Sequence, residues 1–159
     1  MSGPRAGDFG VTAGGGPWMW LVRLGTFSRY GHAAVCTEAS DGLAVTVVEA
    51  YPGGARARQA RADEFVWSSL VLSEGQRRQI VEAAVGCLGL PYDWWDIARF
   101  LLRYRRGRLF GVTPDYADRR LICSELVVWC YRQAEVDLAP GRAPGAVSPG
   151  DLADWITRH

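Results

Sequence analysis

The most regular pattern along the chain is an alternation of apolar and polar positions in residues 30–36 and 43–51. Alternation of this kind, with many β-branched residues, is typical of strands that bury one face. Between the two runs, residues 37–42 (TEASDG) have the composition of a turn. The pattern therefore predicts a β-hairpin.

Flanking segments supply further candidate elements. Residues 7–16 are rich in glycine and predict a short strand start followed by a loop, whereas the bulky run at residues 18–22 is compatible with a helix or a buried strand. Residues 56–72 are expected to complete the sheet, with strand pieces at 65–67 and 70–72.

Helical spacing dominates the second half of the chain. Ser73 has the features of an N-cap for a helix over residues 74–88, which Gly89 ends. Residues 94–104 predict another helix, and residues 123–134 predict a buried one because their apolar positions recur with helical spacing. Sheet residues followed by helices indicate an α+β fold.

Composition limits the possible classes. The 159 residues are 48% hydrophobic, which fits a single domain spanning residues 1–159 with a substantial core. Eighteen basic residues, all arginine, nearly balance 17 acidic ones, so the net charge of +1 identifies no partner. The four cysteines show no C-x-x-C spacing and follow no secretory leader, which favours free thiols.

Cys123 and His32 form a candidate thiol–imidazole pair. Cys123 begins its predicted helix, where the helix dipole and an imidazole both favour the reactive thiolate. The alternative interpretation of each residue is a packed core side chain. The other three cysteines lie in apolar patterns and are predicted to be structural: Cys36, Cys87 and Cys130.

Hairpin arithmetic places Glu49 near His32. A turn centred on residues 40–41 sets the two residues opposite each other, whereas a turn at 41–42 sets Ala34 opposite Glu49 and leaves His32 diagonal to it on the same face. A three-residue loop with a bulge would separate them. In the first two registers Glu49 orients the imidazole; the alternative is an acidic strand end in solvent.

Two motifs resemble a known superfamily. The segments GLPYDW (residues 89–94) and CSELV (residues 123–127) are similar to the G-x-P-Y-x-W and C-S-x-L-V signatures of NlpC-type papain-like proteins. Because His32 and Glu49 precede the cysteine, the order resembles the circularly permuted branch, as does the opening Gly7-Asp8.

The resemblance implies a permuted papain-like fold in which a small antiparallel sheet or partial barrel packs against helices. It further implies Cys123 as nucleophile at the start of a buried helix, His32 as base and Glu49 as the orienting residue. Tyr92 and Ser124 are then expected in the oxyanion or substrate-binding region. This chemistry requires no metal or other cofactor.

The superfamily includes enzymes that act on cell-wall peptides and enzymes that act on lipids, which leaves three functional hypotheses. The first is a cysteine peptidase or amidase that cleaves a peptidoglycan stem peptide or another acyl amide. The second is a lipid-directed acyl hydrolase or acyltransferase. Its interfacial surface would be formed by the arginines between residues 99 and 108 and by four tryptophans, Trp18, Trp20, Trp94 and Trp95. The third is a non-catalytic binding or structural subunit that keeps the fold.

Delivery and surface contacts follow as expectations. Without a signal peptide, the chain is expected to be made in the cytoplasm and carried to the cell wall by a phage virion, such as its tail, or by secretion machinery. A basic cluster interleaved with apolar residues is a candidate contact for an anionic surface; its members are Arg99, Arg103, Arg105, Arg106 and Arg108. The alternative is a solvated helix face, and nucleic acid is the least favoured partner because no recognisable module is present.

Overall fold

A computed structural model describes residues 3–40, 43–93 and 121–158, and this part of the chain has an α+β architecture. Its five strands form an antiparallel sheet in the order β4-β3-β2-β1-β5. The strands are β1 (Phe9–Thr12), β2 (His32–Ala39), β3 (Ala44–Tyr51), β4 (Gly54–Arg61) and β5 (Val66–Trp67). The helices are α1 (Pro17–Thr26), α2 (Glu74–Gly86), α3 (Cys123–Gln133) and α4 (Pro149–Arg158).

The predicted hairpin is present as β2 and β3, and its register decides how the candidate site is built. Val35 pairs with Val48, and the same register sets Ala34 opposite Glu49. The direct pairing of His32 with Glu49 is therefore wrong, and the diagonal arrangement is the one observed. A bulge between Cys36 and Glu38 lies on the turn side of this pairing and leaves the register at His32 intact.

Both helices that the sequence predicts within the described residues are observed. Ser73 caps α2 through reciprocal hydrogen bonds, because its Oγ accepts from the Gln76 N–H at 3.2 Å and its own N–H donates to Gln76 Oε1 at 3.0 Å. α2 ends at Gly86, slightly earlier than predicted, and α3 begins at Cys123 as expected. The helix predicted at residues 94–104 lies outside the described residues.

Other sequence expectations are resolved or corrected. Residues 18–22 belong to α1, so the helical alternative holds over the buried strand. The sequence predicts a strand at residues 70–72, but they form none. Leu70 and Leu72 pack against the core and Val71 points fully into solvent, so the side chains alternate as in a strand, but no neighbouring strand among the described residues pairs with this segment. α4 was not anticipated from the sequence.

The main core lies between the sheet and helices α2, α3 and α4. Tyr131 of α3 is fully buried, stands edge-on to Phe9 of β1 at 5.4 Å between ring centroids, and donates its hydroxyl to the Gly7 carbonyl at 2.6 Å. A second apolar cluster surrounds Phe65, which packs tilted against Trp67. The core thus fixes α3, whose first residue is Cys123, against the central strands.

Among the residues that the structure describes, no helix is both long enough and apolar enough to span a bilayer.

Candidate active site

His32 and Glu49 meet at the centre of the sheet. His32 is the first residue of β2 and Glu49 lies near the end of β3, and their diagonal placement brings Nε2 of the imidazole to 2.8 Å from Glu49 Oε2. Both side chains are almost wholly buried. Since Nε2 donates to the carboxylate, Nδ1 is the nitrogen left to accept a proton.

Two arginines hold the other oxygen of Glu49. Arg56 lies directly opposite Glu49 on β4 and donates from Nε and Nη2 to Oε1 at 3.0 and 2.9 Å. Arg58, two residues further along the same strand, donates from Nε to the same oxygen at 3.1 Å. The buried carboxylate is therefore fully hydrogen-bonded and is surrounded by positive charge.

Cys123 lies at the start of α3 beside this pair. Its sulfur interacts with His32 and with the backbone of Ala33 and Ser124, and each of these interactions favours the thiolate. Ile122 is the N-cap residue, so Cys123 occupies the first helical position, where backbone N–H groups point out of the helix. The thiol is 5% exposed.

The surroundings favour a charged pair. Burial opposes ionisation of Cys123, but the hydrogen bond and positive charge of His32 outweigh it and lower the thiol pKa below its ordinary value. Burial likewise opposes the charged imidazole, yet hydrogen bonds to Cys123 and Glu49 raise the pKa of His32 to about 9. The site therefore stabilises the thiolate and the imidazolium together, as a charged pair.

Glu49 stays ionised throughout the ordinary pH range. Burial alone would raise its pKa, but the hydrogen bond and charge of His32, together with the arginines, lower it to about 2. A permanently charged carboxylate fixes the ring orientation of His32 and stabilises its protonated form.

Tyr92 is placed near the pair by backbone contacts on both of its sides. The Ala55 N–H of β4 donates to the Leu90 carbonyl at 2.8 Å, and the Leu121 N–H donates to the Pro91 carbonyl at 3.3 Å. Burial, and then the negative charge of Cys123, raises the pKa of the Tyr92 phenol above its ordinary value. The phenol therefore remains a neutral hydrogen-bond donor.

Ser124 contributes through its backbone. Its hydroxyl is buried and donates to the Val147 carbonyl at 2.6 Å, so the side chain anchors α3 to the C-terminal segment. Its backbone is the part that interacts with the Cys123 sulfur and helps to lower the thiol pKa.

A small open-sided cavity with a volume of about 20 Å³ leads to His32. His32 and Tyr92 contribute polar groups to it, and Tyr51 lies edge-on to the imidazole at 6.3 Å between ring centroids. Most of the remaining lining is apolar or small: Gly15, Met19, Val22, Gly31, Ala50 and Pro52. The cavity is thus an apolar recess that ends at the proposed base.

The other three cysteines are buried free thiols in the core. Burial raises the pKa of Cys36 to about 11. Cys87 and Cys130 interact with each other, which lowers the pKa of Cys87 and raises that of Cys130. Within the part of the chain that the structure describes, Cys123 is the one of the four that interacts with a histidine.

Sequence reasoning missed the two arginines that bind Glu49. The signal was present, because Arg56 and Arg58 alternate along β4 and so point to one face of the strand. Which residues of β3 they face depends on the β3–β4 register, and the sequence analysis set no register for this pair of strands.

Several sequence expectations lie outside the described residues. These are Trp94, Trp95, Arg99, Arg103, Arg105, Arg106 and Arg108. Within residues 3–40, 43–93 and 121–158, no group of three or more His, Cys, Asp or Glu side chains is arranged to hold a metal ion.

Comparison with known proteins gives a structural likeness. Neither a scan against protein-family models nor a search of curated proteins finds a match. Among solved structures, the fold is similar to the crystal structure of the metalloprotein yiiX from Escherichia coli O157:H7, of DUF1105. The TM-score is 0.55 at 21% identity, over 84% of this chain and 67% of that one. At this identity the likeness concerns the fold alone.

Proposed function

We propose that this chain is a cysteine hydrolase of the circularly permuted papain-like type, related to the NlpC-type superfamily. The observation that carries the proposal is the buried hydrogen bond between His32 and Glu49 beside the Cys123 thiol, which interacts with His32 and lies at the start of a buried helix. A core cysteine has no need of an oriented imidazole and a buried carboxylate. The order His32, Glu49, Cys123 is the one that the permuted branch would have.

The reaction follows from the two nitrogens of His32. Nδ1 takes the proton of Cys123, and the thiolate sulfur attacks the carbonyl carbon of an acyl substrate to form a C–S bond. Collapse of the tetrahedral intermediate breaks the C–N bond as the imidazolium gives its proton to the leaving amine. Water, deprotonated by His32, then hydrolyses the thioester and releases the acid.

Negative charge that develops on the substrate oxygen needs donors nearby. The Cys123 N–H lies at the positive end of α3 and is one such donor, and the Tyr92 phenol beside the cavity is a second. The Ser124 backbone, which interacts with the sulfur, stabilises the thiolate before attack.

The preferred substrate is an amide, with a peptidoglycan stem peptide as first choice on the sequence resemblance. Delivery in a virion or through secretion machinery would bring the enzyme to the cell wall. The amide class fits the site because a histidine pKa of about 9 keeps a proton available for a leaving amine at neutral pH.

A lipid acyl group is the second candidate, and the character of the cavity favours it. Met19, Val22 and Pro52 form apolar walls next to His32, and such walls suit an acyl chain better than a charged peptide. In this case the thioester would pass its acyl group to water or to an acceptor amine or alcohol.

Incubation with muropeptides and, separately, with acyl lipids tests the proposal. We expect turnover of one class and a covalent acyl adduct on Cys123 that intact-protein mass spectrometry detects. Cys123→Ala should abolish both, whereas Cys36→Ala, the control in another buried cysteine, should retain them. No adduct and no turnover with either class would favour a non-catalytic subunit in which Cys123 only packs.

A further inference from the structure

The outer face of α1 is apolar and exposed. Trp20 and Leu24 lie one turn apart on one side of the helix, and Phe27 is its C-cap residue. Their surfaces are 57%, 56% and 83% exposed, and Leu21 beside them is 39% exposed. A surface helix ordinarily turns polar residues outward. This face of α1 turns large apolar side chains outward instead.

The opposite side of α1 belongs to the candidate active site. Met19 and Val22 line the cavity that reaches His32. Since an α-helix with its side chains is about 10 Å across, the exposed face lies within about one helix diameter of the cavity. Whatever contacts this face is therefore held next to the site.

The charged residues of the segment that contains α1 are all positive. From Phe9 to Thr37 the sequence contains no aspartate or glutamate, whereas Arg23 lies within the helix and Arg29 follows it. Arg29 is exposed and Arg23 is partly so. An apolar face flanked by arginines has the composition of a helix that lies in the interface of an anionic bilayer.

We propose that α1 docks the protein on an anionic lipid bilayer. Trp20, Leu24 and Phe27 enter the headgroup and acyl boundary, and Arg23 and Arg29 contact the lipid phosphates. The cavity then opens beside the membrane surface. Docking does not depend on the chemistry of Cys123, so it stands or falls separately from the proposed hydrolase.

A second copy of the chain fits this face less well. α1 has ten residues and is about 15 Å long, so its outer face offers only a few hundred Å², against about 800 Å² per partner in a stable pair. A symmetric pairing through α1 would also bring Arg23 and Arg29 of the two copies towards each other, which costs free energy.

Phe27 adds an independent observation. It is the C-cap residue of α1 and adopts a left-handed backbone with φ of 50°, a conformation that is strained for a bulky residue, and its side chain is more exposed than that of Trp20. Glycine would relieve the strain and remove the exposed ring. Phe27→Gly should therefore fold at least as stably as wild type and bind lipid less.

Sedimentation of the full chain with vesicles tests the proposal. The vesicles are pure phosphatidylcholine or phosphatidylcholine with about a third phosphatidylglycerol. We expect wild type to bind the anionic vesicles, with weaker binding at high salt, and expect the doubly substituted Leu24→Glu/Phe27→Glu and the single Phe27→Gly to lose about tenfold or more in partition coefficient. Cys123→Ala should bind like wild type.

Val71→Glu is the matched control, because Val71 is a fully exposed apolar residue on another part of the surface. Absence of wild-type binding to both vesicle types overturns the proposal. If the α1 variants bind anionic vesicles as well as Val71→Glu does, the proposal is also overturned. The arginines at 99–108, which are unchanged in every variant, would then explain the binding. Analytical ultracentrifugation supplies a third test. If wild type is a dimer and Leu24→Glu/Phe27→Glu is a monomer, the exposed face of α1 binds a second copy of the chain, and the membrane proposal is overturned.

Discussion

Glu49 is the residue on which the geometry of the site depends. One carboxylate oxygen accepts from His32, and the other accepts from two arginines. This division fixes the His32 tautomer, because only the Nε2–H form satisfies Glu49 Oε2 and leaves Nδ1 for the thiol. The arginines keep the carboxylate charged and hold it in place.

Glu49→Gln should raise the pKa of Cys123. The amide oxygen of the introduced glutamine is expected to accept from the arginines, which turns its NH₂ group towards His32. Nε2 of His32 must then accept a hydrogen bond, so the ring proton moves to Nδ1. This tautomer cannot take the proton of the thiol. We expect alkylation of Cys123 at about pH 6 to slow by about tenfold or more, and its pH midpoint to move upward.

The control for Glu49→Gln is Arg61→Gln, which changes an exposed residue of β4 that pairs with Asp63. It should leave the alkylation profile unchanged. A Glu49→Gln profile that coincides with wild type would remove the carboxylate from the mechanism.

At the scale of single residues, the sequence identified the series but not its surroundings. Cys123, His32 and Glu49 were found because motif spacing and hairpin arithmetic depend on local order, which the sequence contains. Arg56 and Arg58 depend on which strand lies next to β3, and the direction of the Ser124 hydroxyl depends on the distant Val147 carbonyl. Neither has a local signature.

At the scale of elements, the position of α1 is set by Gly31. A Cβ at this residue would lie 2.7 Å from the Met19 carbonyl oxygen and 3.1 Å from that of Ala13, both of them backbone atoms. The backbone of α1 therefore approaches the residue before His32 more closely than any side chain would permit. This approach builds the wall of the cavity.

Gly31→Ala should destabilise the protein by about 1–3 kcal/mol, because α1 must move to relieve the clash. Gly86→Ala is the matched control, since a Cβ there meets nothing within 4 Å and alanine favours the helix by about 0.5–1 kcal/mol. Urea unfolding measures both. Equal stability of the two variants would contradict a close packing of α1 at Gly31.

The elements that the sequence predicted share a strong local pattern. The hairpin and α2 each combine periodic apolar residues with a turn or cap, α3 has a periodic apolar face, and these signals survive in the fold. The segment at 70–72 shows alternation but has no partner strand within reach. α4 is short, yet Ser148 before Pro149 was a usable signal, because the Ser148 hydroxyl accepts the Asp151 N–H at 3.0 Å.

At the scale of the whole molecule, buried charge links the site to stability. Besides Glu49, the sheet and α2 are joined by the buried pair of Asp8 and Arg77, with Oδ1 and Nη1 2.8 Å apart. The Gly7-Asp8 segment that resembled a motif opening thus connects the N-terminal strand to α2, and through the Gly7 carbonyl to Tyr131 of α3. Breaking such pairs costs more than the pairs contribute when formed.

Acid should destabilise wild type more than Glu49→Gln. The pKa of Glu49 is about 2 in the folded protein against 4.5 for an unperturbed carboxyl, so its contribution is complete above pH 4.5 and is lost as pH falls towards 2. The loss is about 3 kcal/mol at most. Unfolding by urea between about pH 6 and about pH 2.5 measures it.

Glu82→Gln, at an exposed position of α2, is the control for this acid loss and should follow wild type. If Glu49→Gln lost the same stability as wild type over this range, Glu49 would not be ionised and paired in the folded protein.

The central claim is an activated thiolate at Cys123, and its alkylation rate by iodoacetamide at about pH 6 tests it most directly, because an ordinary thiol is almost wholly protonated there. Peptide mass mapping compares Cys123 with the three core cysteines in wild type and in His32→Ala. We predict rapid labelling of Cys123 alone, and its loss in the variant. Slow labelling of Cys123, equal to that of the core cysteines and unchanged in His32→Ala, would contradict the account.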